Sequence, residues 1–217
     1  MESSEKKGLE ISMLRKSAVA GDAAAQNDLG ISYLLGEGVE QNYEQAVSWF
    51  VKAAEQGYAE AQCRLALCYS KGEGVEKSEE QAAYWFGKAA EQGDAKAQFI
   101  LGKRYKSGSG VEQSHEQAVH WFGKAAEQGH AKARFNLALC YSKGEGIEKN
   151  DEQAIYWFGK AAEQGNADAQ HEMGCYYSAG LGVEKSQEKA IYWWRKAAEQ
   201  GHEDAQKCLE ECGVNNE

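Results

Sequence analysis

Five side chains toward the carboxyl end have types and spacings that could do chemistry. His171 and Cys175 stand one helical turn apart, as do Cys208 and Cys212, and His202 lies between the two pairs. Thiolates with one or two imidazoles make a donor set that tetrahedral zinc accepts. Structural zinc is usually marked by tight CxxC pairs, and the chain has none. In the repeating pattern described below, the same places hold Phe, Leu or Cys in other units without a ligand set. These side chains are therefore read as filling a packed helix face, with no metal and no cofactor. An enzyme or metal sensor built on them is the third-ranked alternative.

The remaining chemistry is sparse. The six cysteines, at 63, 68, 140, 175, 208 and 212, do not follow the repeat and read as small buried hydrophobes in a reducing compartment. There is no GxGxxG after a strand, no GxxxxGK[ST], no HExxH and no GxSxG. GEGVEKS, residues 72–78, has the glycines of a phosphate loop but places glutamates where an anion would sit. It reads as a turn between helices. Five of the six tryptophans recur at one place (Trp49, Trp85, Trp121, Trp157, Trp193), which suggests a core ridge rather than a ligand cage. Trp194 stands where other units have Phe. No catalytic residue is assigned, and the chain is expected not to be an enzyme.

Net charge is −10 over 217 residues, so the surface should repel nucleic acid and anionic membranes. No apolar run is long enough to insert into a membrane. The start, MESSEKKGLEISMLRKS, lacks the apolar core of a secretory signal, so a chain beginning at Met1 is expected in the cytoplasm. A monomer is expected. There is no proline but 24 glycines, which suits helices stopped by glycine rather than broken by proline.

What positions these residues is a period of 36. KAAEQG begins at Lys52, Lys88, Lys124, Lys160 and Lys196, with KSAVAG at Lys16. Counted from each glycine of the phrase, alanine stands two and four residues on, as in Ala59 and Ala61. Leu or Met stands at eight, Gly or Ala at nine and Tyr at twelve, a single helical stripe. A turn such as GEGVEQN follows, whose first glycine (Gly36, Gly72) ends a helix in the left-handed conformation. Asn or Ser then caps a second helix, with Gln three residues later answering it as a capping box. That helix carries Ala46, Trp49, Phe50, Ala53 and Ala54 and ends at the next phrase. Each hairpin needs neighbours to bury both faces, so the units must stack. Five full units occupy 23–58, 59–94, 95–130, 131–166 and 167–202. Residues 1–22 hold a partial capping helix, from about residue 8 to 20, and residues 203–217 a capping helix and tail.

The pattern A-x-A-x-x-x-L-G-x-x-Y-x-x-G-x-G-V, then A-x-x-W-F-x-K-A-A-E-Q-G, resembles the Sel1-like repeat family, whose members are α/α solenoids related to tetratricopeptide repeats. The resemblance implies an all-α fold: a right-handed α/α superhelical solenoid of five full helix-turn-helix repeats with partial capping helices at both ends. The family's Asp-Tyr at the start of the second helix is approached only by Asn42-Tyr43, and the disulfide per repeat of its cysteine-rich branch is missing. The resemblance further implies a scaffold or adaptor that binds another protein. Alternatives are a stoichiometric inhibitor, such as a bacterial immunity protein neutralising a toxin, and a host-interaction factor of a bacterium.

Places fixed in every unit maintain the stack; the free ones face solvent or a partner. On the first helices the free places are Asn27, Ile31, Leu34 and Leu35; Glu60, Cys63, Leu67 and Lys71; Lys96, Phe99, Lys103 and Lys106; Lys132, Phe135, Leu139 and Lys143; and Asp168, His171, Cys175 and Ser178. By resemblance to tetratricopeptide repeats these line a concave groove. With Arg64, Arg104 and Arg134 they give an apolar spine with a basic middle, which suits an acidic, partly apolar segment. A plain solvated face is the competing reading.

Overall fold

The computed structural model describes residues 2–214, with side chains from residue 9 onward; Met1 and residues 215–217 of the expected tail lie outside. Among the described residues there are helices and no strand. The chain divides into two compact units, one ending at Gln113 and one beginning at Ser114. The first holds α1 (Glu2–Val19), α2 (Ala23–Leu35), α3 (Tyr43–Glu55), α4 (Ala59–Lys71), α5 (Glu79–Glu91) and α6 (Ala95–Ser107). The second holds α7 (His115–Glu127), α8 (Ala131–Lys143), α9 (Asp151–Ala162), α10 (Ala167–Ala179), α11 (Gln187–Ala198) and α12 (Glu203–Glu211). Within each unit every helix packs against the next in sequence. The expected partial helix at the start begins earlier than residue 8, at Glu2.

Helix boundaries follow from local chemistry. Asn42, Ser78, Ser114, Asn150 and Ser186 cap α3, α5, α7, α9 and α11, their side chains accepting from the amide three residues on. The return half of the expected capping box is replaced. The amides of Asn42, Ser78, Asn150 and Ser186 donate to the carbonyls of Tyr33, Tyr69, Tyr141 and Tyr177. The previous helix thus satisfies the group that the glutamine was expected to reach. At the opposite end, Gly36, Gly72, Gly108, Gly144 and Gly180 take φ of 72 to 76°. Each donates its amide to a carbonyl one turn back, closing the first helices in the left-handed cap.

The second glycine of each turn has a separate duty. A Cβ on Gly74 would collide with the carbonyl of Tyr43, one on Gly110 with Glu79, one on Gly146 with His115 and one on Gly182 with Asp151. The turn of one repeat therefore rests, backbone on backbone, against the start of the preceding second helix.

The core corrects the aromatic assignment. Phe50, Phe86, Phe122 and Phe158 are at most 1% exposed, whereas Trp49, Trp85, Trp121, Trp157 and Trp193 are half-buried. Ala46, Phe50, Ala53 and Ala54 fall at i, i+4, i+7 and i+8, which is one face of a helix, and the tryptophan lies at its edge. From there Trp85 covers the cluster of Phe50 and Leu65, and Trp193 covers that of Phe158 and Met173. Trp194, at the Phe place, is buried against Gly174. The phenylalanine fills its own repeat; the tryptophan seals the one before.

Candidate partner-binding face

Two side chains fixed by the repeat hold the helix ends in place before any face is free to bind. Gln26, Gln62, Gln98 and Gln170 are buried and donate to the carbonyls of Ala18, Ala54, Ala90 and Ala162. The glutamine of the repeated phrase then donates onto them, Gln56 to Gln26, Gln92 to Gln62 and Gln200 to Gln170, at 2.7 to 2.8 Å. In these three phrases the Q of KAAEQG is thus an exposed side chain that clamps a buried amide, a role that the pattern alone does not show; Gln164 instead donates to the Gly129 carbonyl. Where Arg134 replaces the buried glutamine, its Nε donates to the Ala126 carbonyl and its guanidinium reaches the Lys160 carbonyl.

Two of the expected groove cations are therefore structural. Arg134 is spent on carbonyls. Arg104 is 7% exposed and donates to Glu79 Oε2 at 2.9 Å, Ser70 Oγ at 3.1 Å and the Ser109 carbonyl, with its guanidinium over the Phe86 ring. Arg104 holds the Glu79 carboxyl below its ordinary range, chiefly through that hydrogen bond. Asn27 is also corrected: it is 1% exposed and cannot meet a partner. It lies on α2, which packs between α1 and α3, and its Nδ2 donates to Asp28.

In the first unit the other expected residues divide by exposure. Leu35, Leu67, Lys71, Lys96 and Lys103 are exposed; Ile31, Cys63, Phe99 and Lys106 are half-buried. Lys103 Nζ lies 5.9 Å from the centre of the Phe99 ring. Ile31 and Leu34 pack against the Phe50 cluster. Burial, reinforced by Asp94 and Glu60, pushes the Cys63 thiol up to about 12, so it stays neutral and apolar. Arg64 pairs with Glu60 within its own helix at 2.6 Å.

The second unit presents something different. Lys132 and Lys143 are exposed on α8, while Phe135 and Leu139 are half-buried against the cluster of Phe158 and Tyr176. On α10, His171 and Cys175 are half-buried, and Asp168 is exposed. His171 Nε2 is 3.5 Å from Cys175 Sγ and 4.0 Å from Cys208 Sγ, and its ring stacks on His202 at 4.7 Å. Cys212, expected near this group, instead accepts from Gln187. Burial pushes Cys175 up to about 11 and raises Cys208 as well, so both are thiols rather than thiolates at neutral pH. No group of three or more His, Cys, Asp or Glu among the described residues has the geometry to hold a metal ion. No described helix is long and apolar enough to cross a membrane.

Known proteins place this architecture. The Sel1 repeat family matches residues 23–58, 59–94, 95–130, 131–166 and 167–202. A protective antigen present in uropathogenic Escherichia coli strains, displaying an SLR fold, is 36% identical with a TM-score of 0.90. That match covers 93% of this chain and 43% of the other, so the chain spans less than half the length of the antigen. A Sel1 repeat protein from Oxalobacter formigenes is 34% identical with a TM-score of 0.87, covering 95% of this chain and 85% of that one. No curated protein matches the chain. Sel1 repeat proteins generally mediate protein–protein interaction and are typically non-enzymatic scaffolds. With all five 36-residue blocks matched and an all-α repeat fold, the chain belongs to the Sel1 repeat family.

Proposed function

We propose that this chain is a non-enzymatic interaction module whose first-helix faces take an acidic, partly apolar segment of another protein. One observation carries the reading. On α4 and α6 the exposed Leu67, Lys71, Lys96 and Lys103 accompany the half-buried Phe99, in a chain whose net charge is −10. Elsewhere the repeat uses such places freely, so a local excess of one sign is a property of these helices and not of the stack. Lysines of this kind act on encounter rate and salt dependence, whereas apolar anchors act on dissociation.

The test is a titration of the full chain with a synthetic peptide of alternating Asp or Glu and Leu or Phe, against its Lys-substituted counterpart. Binding of the acidic peptide should be selective and weaken with added salt. Lys71→Glu with Lys103→Glu should abolish the selectivity at low salt and matter less at high salt. Phe99→Ala should weaken binding at both. Equal affinity for the two peptides, or indifference to the lysine pair at low salt, overturns the reading.

A further inference from the structure

The end of the second unit carries a cluster of titratable groups on α10 and α12, apart from the α4 and α6 side chains named above. His202 is the N-cap of α12: its Nδ1 accepts from the Ala205 amide at 3.3 Å. That nitrogen is therefore unprotonated, and the single ring proton sits on Nε2, 3.5 Å from Asp168 Oδ1. The ring lies flat on His171, with centroids 4.7 Å apart and planes within 14°. His171 in turn points Nε2 at the thiols of Cys175 on α10 and Cys208 on α12. Beneath, Ala205 and Leu209 of α12 close over Ala190, Trp194 and Ala197 of α11.

We propose that the stacked imidazoles of His171 and His202 form a proton-operated latch, holding α12 onto α10 and α11 at neutral pH and releasing it in acid. A second proton on His202 has only Nδ1 to occupy, where it would turn an N–H against the Ala205 N–H and cancel the cap. A proton on His171 sets a cation flat against the neighbouring ring. The groups facing the pair are Asp168, Glu172 and Cys175 from α10 and Asp204 and Cys208 from α12, with Lys207 paired to Asp204; Trp194 of α11 is uncharged. Burial and the neighbouring His202 ring oppose the imidazolium of His171, and Asp204 and Asp168 favour it. The net direction for His171 is downward, from burial first and His202 second. A histidine depressed in the folded state lends stability that is complete above the unfolded value of 6.5 and is lost as pH falls below it.

The preceding repeat supplies an internal control. At the equivalent places it has Phe135 and Asn166, and Asn166 caps α10 through Oδ1 at 2.7 Å from the Ala169 amide. That pairing gives an aromatic ring and a cap with nothing to titrate. His130 caps α8 through Nδ1 as His202 caps α12, but the stacked pair of imidazoles belongs to the last joint of the unit.

The experiment is hydrogen–deuterium exchange of the full chain at pH 7.5 and 5.5, corrected for intrinsic rates, with α10 as the reference helix. Protection of the α12 amides should fall about tenfold more than that of α10, the scale of one lost cap. In the double variant His171→Phe with His202→Asn, α12 should keep its protection at both pH values. His202→Asn alone retains a cap and should remove most of the response. Unchanged α12 protection in the parent chain overturns the latch, as does a full response in the double variant, which assigns the effect to the carboxylates.

Discussion

The first helices α6 and α10 occupy the same register in different units. Ala97 and Ala169, Leu101 and Met173, and Gly102 and Gly174 are all buried at matching places. Between them, α6 carries Lys96, Lys103 and Lys106 where α10 carries Asp168, Cys175 and Ser178. Even one buried place differs: Arg104 on α6 answers to Tyr176 on α10. Arg104 is tolerated because Ser70, Glu79 and Ser109 offer it oxygens, and Tyr176 because it packs on Phe158 at 5.5 Å. The difference separates two kinds of freedom. Outward places are free outright, whereas an inward place is free only when its neighbours change with it.

The largest expected loss lies at the phenylalanine that the second helices bury. Phe122→Ala should cost about 3–5 kcal/mol in a denaturant melt, since the ring is fully buried. Trp121→Ala should cost clearly less, because that ring is half-exposed; equal losses would mean that the seam and the core are not distinct. Gly110→Ala should come next, at about 2–3 kcal/mol, because it strains a positive φ of 72° and presses a methyl on the Glu79 carbonyl. An unchanged melting midpoint would remove the turn-on-helix contact from the account.

Arg104→Cys, which copies the residue of the second and fourth repeats, should cost about 1–2 kcal/mol at pH 7. The Glu79 carboxyl is depressed by Arg104, so this contribution is present above the ordinary value of 4.5 and lost as pH falls through the folded value. Melts at pH 7 and pH 3.5 should therefore show the gap between parent and variant narrowing in acid. The smallest effect belongs to the outward places. Lys103→Glu should change stability by no more than about 0.5 kcal/mol, and a larger loss would move Lys103 from the face into the framework.

The repeat, its helices, the glycine caps and the Asn or Ser caps were legible in the sequence because each rests on one residue acting locally. KAAEQG could be read as a helix end for that reason. Its glutamine could not, since its partner lies thirty residues away and the pairing needs two helices in place. The same limit hid Arg104 and Asn27. Asn27 shares the free stripe, whereas Arg104 stands three residues after Leu101 and seven after Ala97, on the buried stripe, and only Ser70, Glu79 and Ser109 of neighbouring segments make an arginine acceptable there. Tryptophan was assigned to the core on recurrence alone, although the phase of Ala46, Phe50 and Ala53 already put it at the edge. Histidine as a helix cap, at His130 and His202, was missed because its Nδ1 accepts much as an Asx oxygen does, without the usual residue type. The basic places were read from the composition of single positions, and of these Lys71, Lys96, Lys103, Lys132 and Lys143 are solvent-exposed.

The glycine that lets one turn sit on the preceding helix also governs how such a molecule can change in length. With Gly74 against Tyr43, Gly110 against Glu79, Gly146 against His115 and Gly182 against Asp151, the connection between hairpins has no slack. One residue added to a turn would lift the backbone off its seat and rotate every later helix out of phase. A block of 36 residues removed or added whole leaves each seat intact. Duplication and loss of complete repeats are then the cheap edits of this architecture, and they add or remove helix pairs without redesigning a joint.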